Sequence, residues 1–263
     1  MSLDGDHRKA YILNAIDTEG QVKTAALVKR FSVSSETIRR YLEELEREKR
    51  LVRVYGGASR IRISSEESSH LSREVLHAEE KKRIGKAAAD LVADGETIFI
   101  DEGTTSLQMV EHLVGKKKLT IITNSIPVLS RLILVHQKGL LSCELIVIGG
   151  SVHATHLRVT GSIAEQMVDR FFVDKAFITV DGVSMDKGYS SHNVEKSCLS
   201  KKLIDNARQS IVLADDSKLG VDFFYKISDV NEVGLIVCNE AAPPGWRKQL
   251  AHDQVRWITA GKK

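Results

Sequence analysis

The sequence predicts an α/β protein in two parts: a large, mostly parallel, doubly wound sheet preceded by a small, mostly helical head. Three observations predict it. From residue 97 onward, short β-branched runs alternate with helical patterns, as in a parallel sheet buried on both faces. Residues 1–58 instead hold three helical periods closed by a strictly alternating stretch around Gly56-Gly57. Between them, in 59–77, "SRIRISSEESSHLSREVLH" turns to Ser, Glu and Arg with few apolar residues, which reads as a tether or a surface helix before a third segment, 78–263.

In the head, "HRKAYILNAIDTEG" places Ile12, Leu13 and Ile16 on one helical face and stops at Gly20. "TAALVKRF" is a short helix with Thr24 as its N-cap. "SVSSETIRRYLEELEREK" opens on Ser34 or Ser35 and buries Ile38, Leu42 and Leu45, spaced i, i+4, i+7. The joint Ser32-Val33-Ser34 has the length of a helix-turn-helix. With that apolar face inward, Ser35, Glu36, Arg39, Arg40 and Glu43 face out near the start of the third helix. Arginine can give two parallel hydrogen bonds to a guanine edge, hydroxyls such as those of Ser34 and Thr37 can donate to phosphate or base, and a helix N-terminus favours phosphate. This composition suits a reader of double-stranded DNA. The following "RLVRVYGGASRIRI" alternates Leu51, Arg53 and Tyr55 against Val52 and Val54 around Gly56-Gly57, a hairpin wing whose arginines can reach the backbone or minor groove. The alternative is a solvated three-helix bundle whose arginines only pair with Glu43, Glu44 and Glu46.

In the large part, "EEKKRIGKAAADLV" carries Ile84, Ala88 and Leu91 at helical spacing. Strands are expected at 97–100, 120–123, 145–148, 176–180, 210–213, 233–237 and 255–258, with helices near 107–113, 128–135, 163–171, 195–206 and 245–251. Ligands of such sheets collect at the carboxyl ends of the strands, where the residues read DEGTTS, TNS, GGS, DG and ADDSK. Gly103, Thr104, Thr105, Ser106, Thr123, Asn124, Ser125, Gly149 and Gly150 offer backbone amides and small donors. Lys218 adds a mobile cation, and Asp101, Asp181 and Asp215 can accept from sugar hydroxyls. Together they suit a small, phosphorylated, polyhydroxylated molecule. Taken singly, the first turn also reads as an ordinary bend at Gly103 with Thr104 or Thr105 as an N-cap.

The stretch "VSSETIRRYLEELEREKRLVRVYGGA" resembles the DNA-binding end of the DeoR family of bacterial transcription regulators, at Val33, Ser34, Thr37, Ile38, Arg39, Arg40, Leu42, Gly56, Gly57 and Ala58. Tyr41 stands where that family usually has Asp, and Tyr55 where it usually has His. "DEGTTS", "TNS", "IGG", "TGSIAEQMVDRFFVDKAF", "DG" and "LADDSKLG" resemble its effector domain, so the resemblance covers nearly the whole chain. It implies a ribose-5-phosphate isomerase-like fold that senses a phosphorylated sugar and, in most members, a repressor whose grip on its operator the sugar loosens.

That likeness makes a sugar-phosphate isomerase the rival reading. The pentose-phosphate isomerases carry D-G-A-D-E, then K-G-G-G-G and a downstream Glu, and "VDGVSMDKGYSSHNVEKS" looks like the same place. Asp181, Gly182, Lys187, Gly188 and Glu195 compare, but Ser184 replaces the second Asp and Tyr189-Ser190-Ser191 the run of glycines. A serine cannot take up a proton as a carboxylate can, so the site reads as fit to bind and unfit to turn over. Glu195 is either a ligand contact or the first-turn acid of a helix. An RNA-binding head ranks last, because the head offers few aromatics for base stacking beyond Tyr41 and Tyr55.

Charge agrees with this division. Residues 1–62 hold thirteen Lys and Arg against nine Asp and Glu, a balance of +4, while the rest holds twenty-five against twenty-six, a balance of −1. A polyanion partner is expected for the head alone. At 42% apolar and 28% charged residues the chain reads as an ordinary globular protein, and its polar start, "MSLDGDHRK", lacks the apolar centre of an export signal, so the cytoplasm is expected. Cys143, Cys198 and Cys238 are far apart, and His153 and His156 have no acid or Cys to complete a metal set, so neither metal nor cofactor is expected. A lone helix-turn-helix reads only a few base pairs, which calls for a homo-oligomer, at least a dimer.

Overall fold

The structure is a computed structural model and describes residues 3–19, 21–47, 50–54, 56–59 and 67–261. It divides into two compact units, Met1–Glu66 and Glu67–Lys263.

The first unit comprises α1 (Leu3–Glu19), β1 (Gln21–Lys23), α2 (Thr24–Phe31), α3 (Ser35–Arg47), β2 (Val52–Val54) and β3 (Gly57–Ser59). Ile12 and Ile16 of α1, Leu27 of α2 and Ile38, Leu42 and Leu45 of α3 close one core, joined by Tyr41, Leu51 and Ala58. The wing has three strands where the sequence suggested two, since β3 pairs antiparallel with both β1 and β2. Gly57 permits this, because a Cβ there would lie 2.0 Å from the Val22 carbonyl oxygen. Thr24 is not a cap. It is the first residue of α2, and its amide donates to the Gly56 carbonyl at 2.8 Å, so β1 runs straight into the helix. Ser32 closes α2 in the left-handed region at φ 50°, and Ser34 caps α3 by accepting from the Thr37 amide at 3.2 Å. Gly20 and Tyr55 lie outside the described residues.

The second unit opens with α4 (His70–Val75) and α5 (Ala78–Ala89), then β4 (Thr97–Ile100), α6 (Thr104–Leu107), β5 (Lys117–Thr123), α7 (Ile126–Gln137) and β6 (Ser142–Val147). It continues with β7 (Ser151–His153), β8 (Arg158–Thr160), α8 (Ser162–Val168), β9 (Val173–Thr179), β10 (Gly182–Ser184), β11 (Gly188–Ser191) and α9 (Val194–Asp205). It ends with β12 (Ala207–Leu213), β13 (Tyr225–Ser228), β14 (Leu235–Cys238), α10 (Arg247–His252) and β15 (Arg256–Thr259).

All seven expected strands join one parallel sheet in the order β15-β14-β12-β9-β4-β5-β6. Alternate side chains serve opposite faces. Ile98, Ile100, Phe177, Ile211 and Leu213 pack with apolar residues of α5 and α7, whereas Phe99, Ala176, Ile178 and Val212 pack with those of α8 and α9. This is the doubly wound arrangement. The chain enters at β4, runs outward to β5 and β6, then returns to β9 on the other side of β4 and runs outward through β12, β14 and β15. The direction reverses between β4 and β9, so a crevice belongs outside the carboxyl ends of those two strands.

Five features depart from expectation. The β7–β8 hairpin and the antiparallel sheet β10-β11-β13 were not foreseen. The helix expected near 107–113 is the four-residue α6 followed by a 3-10 turn, Val110–His112. Gly103, not a threonine, precedes α6, at φ 152°; a Cβ there would meet Thr179 Oγ1 at 2.5 Å. Residues 67–77, assigned from composition to a linker that is a tether or a surface helix, do hold a helix, α4, capped by Ser69 accepting from the Ser72 amide at 3.2 Å, but they belong to the second unit.

Candidate functional site

In the first unit, α3 turns Ser35, Glu36, Arg39 and Arg40 outward behind the exposed cap Ser34, with Thr37 half-buried. The Arg39 and Arg40 side chains are 62% and 66% exposed, and their carboxylate neighbours Glu36 and Glu44 lie 3.7 and 4.0 Å away. Pairs this exposed are weak and can be exchanged for phosphate at little cost. Tyr41 is buried, and the Arg40 guanidinium lies 5.8 Å from its ring centre, so an aromatic face supports this arginine. Arg53 is tied down instead, donating from Nη1 to Glu43 at 2.8 Å and from its amide to Glu46 at 2.9 Å. Gly56 is exposed and Gly57 buried in the wing.

In the second unit, Asp101 and Glu102 follow β4, and Asp181 follows β9, so all three stand at the reversal point. Glu102 is the hub. Its Oε1 lies 3.2 Å from Arg158 Nη1 on β8 and 3.2 Å from Lys196 Nζ on α9; its Oε2 lies 3.6 Å from Arg73 Nη2 on α4. Lys196 also reaches Asp181 Oδ1 at 3.1 Å, and Asp181 Oδ2 accepts from the Ser191 hydroxyl at 2.7 Å and the His192 amide at 3.2 Å. Glu67, just ahead of α4, accepts from Arg158 Nη1 at 2.9 and 2.7 Å and lies 3.2 Å from Arg73 Nη1. Asp101 accepts from the amides of Glu102 at 2.8 Å and Thr179 at 3.2 Å. Arg158 is 1% exposed and Lys196 2%. Ions are costly to bury unless paired, and here five separate elements, α4, β4, β8, β9 and α9, deliver them to one place.

Pairing is nonetheless incomplete. Among the described residues, eight of the ten buried side-chain nitrogens and oxygens without a hydrogen-bond partner belong to His70, Arg73, Glu102, Asn124, His156 and Arg158. Buried polar groups are normally satisfied, so the cluster retains donors that could serve a further acceptor. Its electrostatics are strongly biased. Burial pushes the Asp101 carboxyl up, with the Glu102 charge adding to the effect. Against burial, Lys196, Arg73 and Arg158 hold Glu102 below the usual carboxylate range, and Lys196, the Ser191 hydroxyl and Lys218 do the same for Asp181. Also against burial, Asp181 and Glu102 raise the Lys196 ammonium. Burial pulls Lys81 of α5 down to about 8; its ammonium donates to the Arg73 carbonyl oxygen.

Of the residues singled out in the sequence, Asp101 and Asp181 stand in this cluster. Thr104, Thr105 and Ser106 are buried beside it, with the Ser106 hydroxyl donating to the carbonyl oxygens of Asp101 at 2.7 Å and Gly103 at 3.1 Å. Thr123 donates to the Ile100 carbonyl at 2.6 Å, Asn124 Nδ2 to the Val159 carbonyl at 3.2 Å, and Ser125 caps α7 by accepting from the Val128 amide at 3.4 Å. These contacts fix the turns after β4 and β5. Lys218 is half-buried, and Asp215 accepts from the Ser217 amide at 3.1 Å. Gly182 opens β10, while Gly149 and Gly150 are exposed after β6. Lys187 is not brought in; it is 65% exposed and paired with Asp222 at 2.6 Å. Glu195 accepts from His153 Nε2 and the Thr160 hydroxyl, each at 2.8 Å, and its neighbour Lys196 enters the cluster. Glu67, Arg73, Glu102, Arg158 and Lys196 were not singled out from sequence.

Comparison with known proteins bears on both units. The profile described as the DeoR-like helix-turn-helix domain matches residues 8–64, and that described as the DeoR C terminal sensor domain matches residues 76–240. The chain belongs to the DeoR family. The transcriptional repressor GlcR of Bacillus subtilis is 32% identical over 232 residues, 88% of this chain and 87% of that protein. The lactose phosphotransferase system repressor of Staphylococcus epidermidis is 30% identical over 227 residues, 86% of this chain and 88% of that protein. Among solved structures, ribose 5-phosphate isomerase from Methanocaldococcus jannaschii aligns over 54% of this chain and 55% of its own, at 21% identity and a TM-score of 0.38.

This DeoR-family chain is therefore a DNA-binding transcription regulator, with α2 and α3 as its helix-turn-helix and the seven-stranded unit as its sensor domain. Among the described residues, one grouping of potential metal ligands occurs in that domain: His77, Asp215 and Asp216, whose ligand atoms lie within 4.8 Å of one another. Asp215 already accepts from Ser217 and Asp216 from Asn239, and a structural zinc site uses four ligands. No helix among the described residues is long and apolar enough to cross a membrane.

Proposed function

We propose that this DeoR-family regulator represses a sugar-metabolism operon, and that a phosphorylated sugar bound in the sensor domain sets its affinity for double-stranded operator DNA. The observation that carries this reading is the buried Arg158 and Lys196, with the half-buried Arg73, facing Glu102 and Asp181 at the reversal point between β4 and β9. Guanidinium and ammonium groups are suited to a phosphate, and carboxylates beside them to sugar hydroxyls. Similarity to the lactose phosphotransferase system repressor supports the sugar class. On the DNA side, Ser34, Ser35, Glu36, Thr37, Arg39 and Arg40 read the duplex, and Arg53, Tyr55, Gly56 and Gly57 of the wing approach its backbone.

The ligand is sensed and not converted. Asp101 has both carboxylate oxygens engaged by backbone amides, and Ser184 stands where the isomerase pattern has its second acid. The protein works in the cytoplasm as at least a dimer, since one helix-turn-helix reads too few base pairs for a specific operator. The sugar phosphate weakens DNA binding by binding better to the protein off DNA, so the two affinities are reciprocally linked. A thermal-shift screen of sugar phosphates, with the free sugars and inorganic phosphate alongside, tests the sensor. At least one sugar phosphate should raise Tm more than its free sugar does. If none does, the proposed ligand class is wrong.

A further inference from the structure

Within the cluster, Glu67 seats poorly on Arg158. Both of its carboxylate oxygens fall on the same nitrogen, Arg158 Nη1, which Glu102 shares. A carboxylate seated fork-to-fork on a guanidinium would use two nitrogens. Here Arg158 Nε remains buried without a hydrogen-bond partner. A phosphate monoester, with three terminal oxygens and close to two negative charges, can take Arg158 Nε and Nη1 together, which Glu67 does not.

The segment that carries Glu67 is held by these charges more than by apolar packing. Its inward side chains, His70 and Arg73, are polar, whereas Leu71, Val75 and Leu76 are 70%, 76% and 54% exposed. The remaining attachments are polar as well: the His70 amide donates to the Thr155 carbonyl at 3.1 Å, and Lys81 donates to the Arg73 carbonyl. Apolar burial falls in proportion to the area left in water, so the pairs that cross to other elements, Glu67 with Arg158 and Arg73 with Glu102, are the main tie. Residues 67–75 also lead directly back along the chain to the DNA-binding head.

We propose that Glu67 is an internal anion standing in for the ligand's phosphate on Arg158, and that a bound phosphate displaces it, releasing the segment 67–75, which carries Arg73, from the rest of the sensor domain. This rests on the reading that the sensor takes a phosphorylated ligand, and it adds how occupancy is reported toward the head. In the exchange Arg158 trades a carboxylate for a phosphate, and Glu67 leaves together with Arg73, its partner at 3.2 Å on the same segment.

Hydrogen exchange of the full-length protein, read at the amides of His70, Ser72 and Arg73, tests it. Inorganic phosphate, and more strongly any sugar phosphate that raises Tm, should speed exchange there. Glu67→Gln should speed it on the order of tenfold with no ligand added, the equivalent of one charge-assisted hydrogen bond, and phosphate should then add nothing further. Glu67→Gln should also bind the sugar phosphate several-fold more tightly, its competitor being gone. Unchanged or slower exchange in the wild type with phosphate overturns the proposal, as does a Glu67→Gln protein that exchanges like the wild type. If a sugar phosphate weakens DNA binding while these amides stay quiet, the sensor reading stands and the displacement fails. If phosphate releases the segment but no sugar phosphate alters DNA binding, the displacement stands and the sugar-phosphate reading fails.

Discussion

The head and the sensor domain use the same side chain in opposite ways. Arg39 and Arg40 stand in water, with carboxylates at 3.7 and 4.0 Å that hold them loosely. Arg158 is sealed in, with Glu67 and Glu102 sharing one of its nitrogens. An exposed arginine loses little hydration on meeting a polyanion, so it contributes attraction that salt screens and that any duplex can elicit. A buried one has already been stripped of water by folding, so its unused donors can discriminate among small anions by shape. The first arrangement suits a surface that must slide and search, the second a pocket that must choose.

This contrast should appear first in stability. Arg158→Ala takes from Glu67 and Glu102 the buried cation they share and should cost the sensor domain about 3–5 kcal/mol in urea unfolding, whereas Arg39→Ala should change the stability of the head negligibly. Equal effects of the two substitutions would erase the distinction. In DNA binding the order reverses. Arg39→Ala should weaken operator affinity roughly ten- to a hundred-fold by mobility shift, and if that arginine meets a phosphate the salt dependence should flatten by about one unit of slope.

A smaller effect should come with pH. Glu102 and Asp181 titrate below their unfolded values in the native protein, held down by Lys196 and the neighbouring guanidiniums. Their stabilisation is therefore complete above the ordinary carboxylate range, about pH 4, and is lost as pH falls through the lower native values. The unfolding free energy of the sensor domain should drop on acidification below that range, and Asp181→Asn should reduce the slope. In the head, Glu44 is also lowered, by its hydrogen bond from Lys9, but near the surface such a pair contributes little. Least of all, Ser34→Ala should cost the head about 1 kcal/mol through the lost cap on α3, measurable by thermal unfolding.

The two halves were unequally legible in the sequence. Ile38, Leu42 and Leu45 repeat along one helix, and runs such as Thr97 to Ile100 are local, so periodicity alone located the helix-turn-helix and all seven sheet strands. Asp101 and Asp181 were found by the same logic, because a residue just past a parallel strand faces the ligand side. The cations were missed because nothing local marks them. Arg158 meets Glu67 across 91 residues of chain, and it lies on a hairpin strand too short to show alternation. Glu67 and Arg73 sit in a Ser-rich stretch whose composition resembles a tether, since the helix that carries Arg73 buries its polar side and exposes its apolar one. Lys196 was passed over for Glu195, one residue away; on a helix adjacent residues point about a quarter-turn apart, and only the structure shows that the lysine faces the acids.

The most direct measurement is fluorescence anisotropy of the full-length protein on a duplex it has selected from a random library, titrated with the sugar phosphate that raises Tm most. The expected result is a fall in DNA affinity of roughly 5- to 150-fold, the usual range of coupling between two sites, that the matching free sugar does not produce. DNA affinity that stays constant while the same sugar phosphate saturates the sensor domain would contradict it.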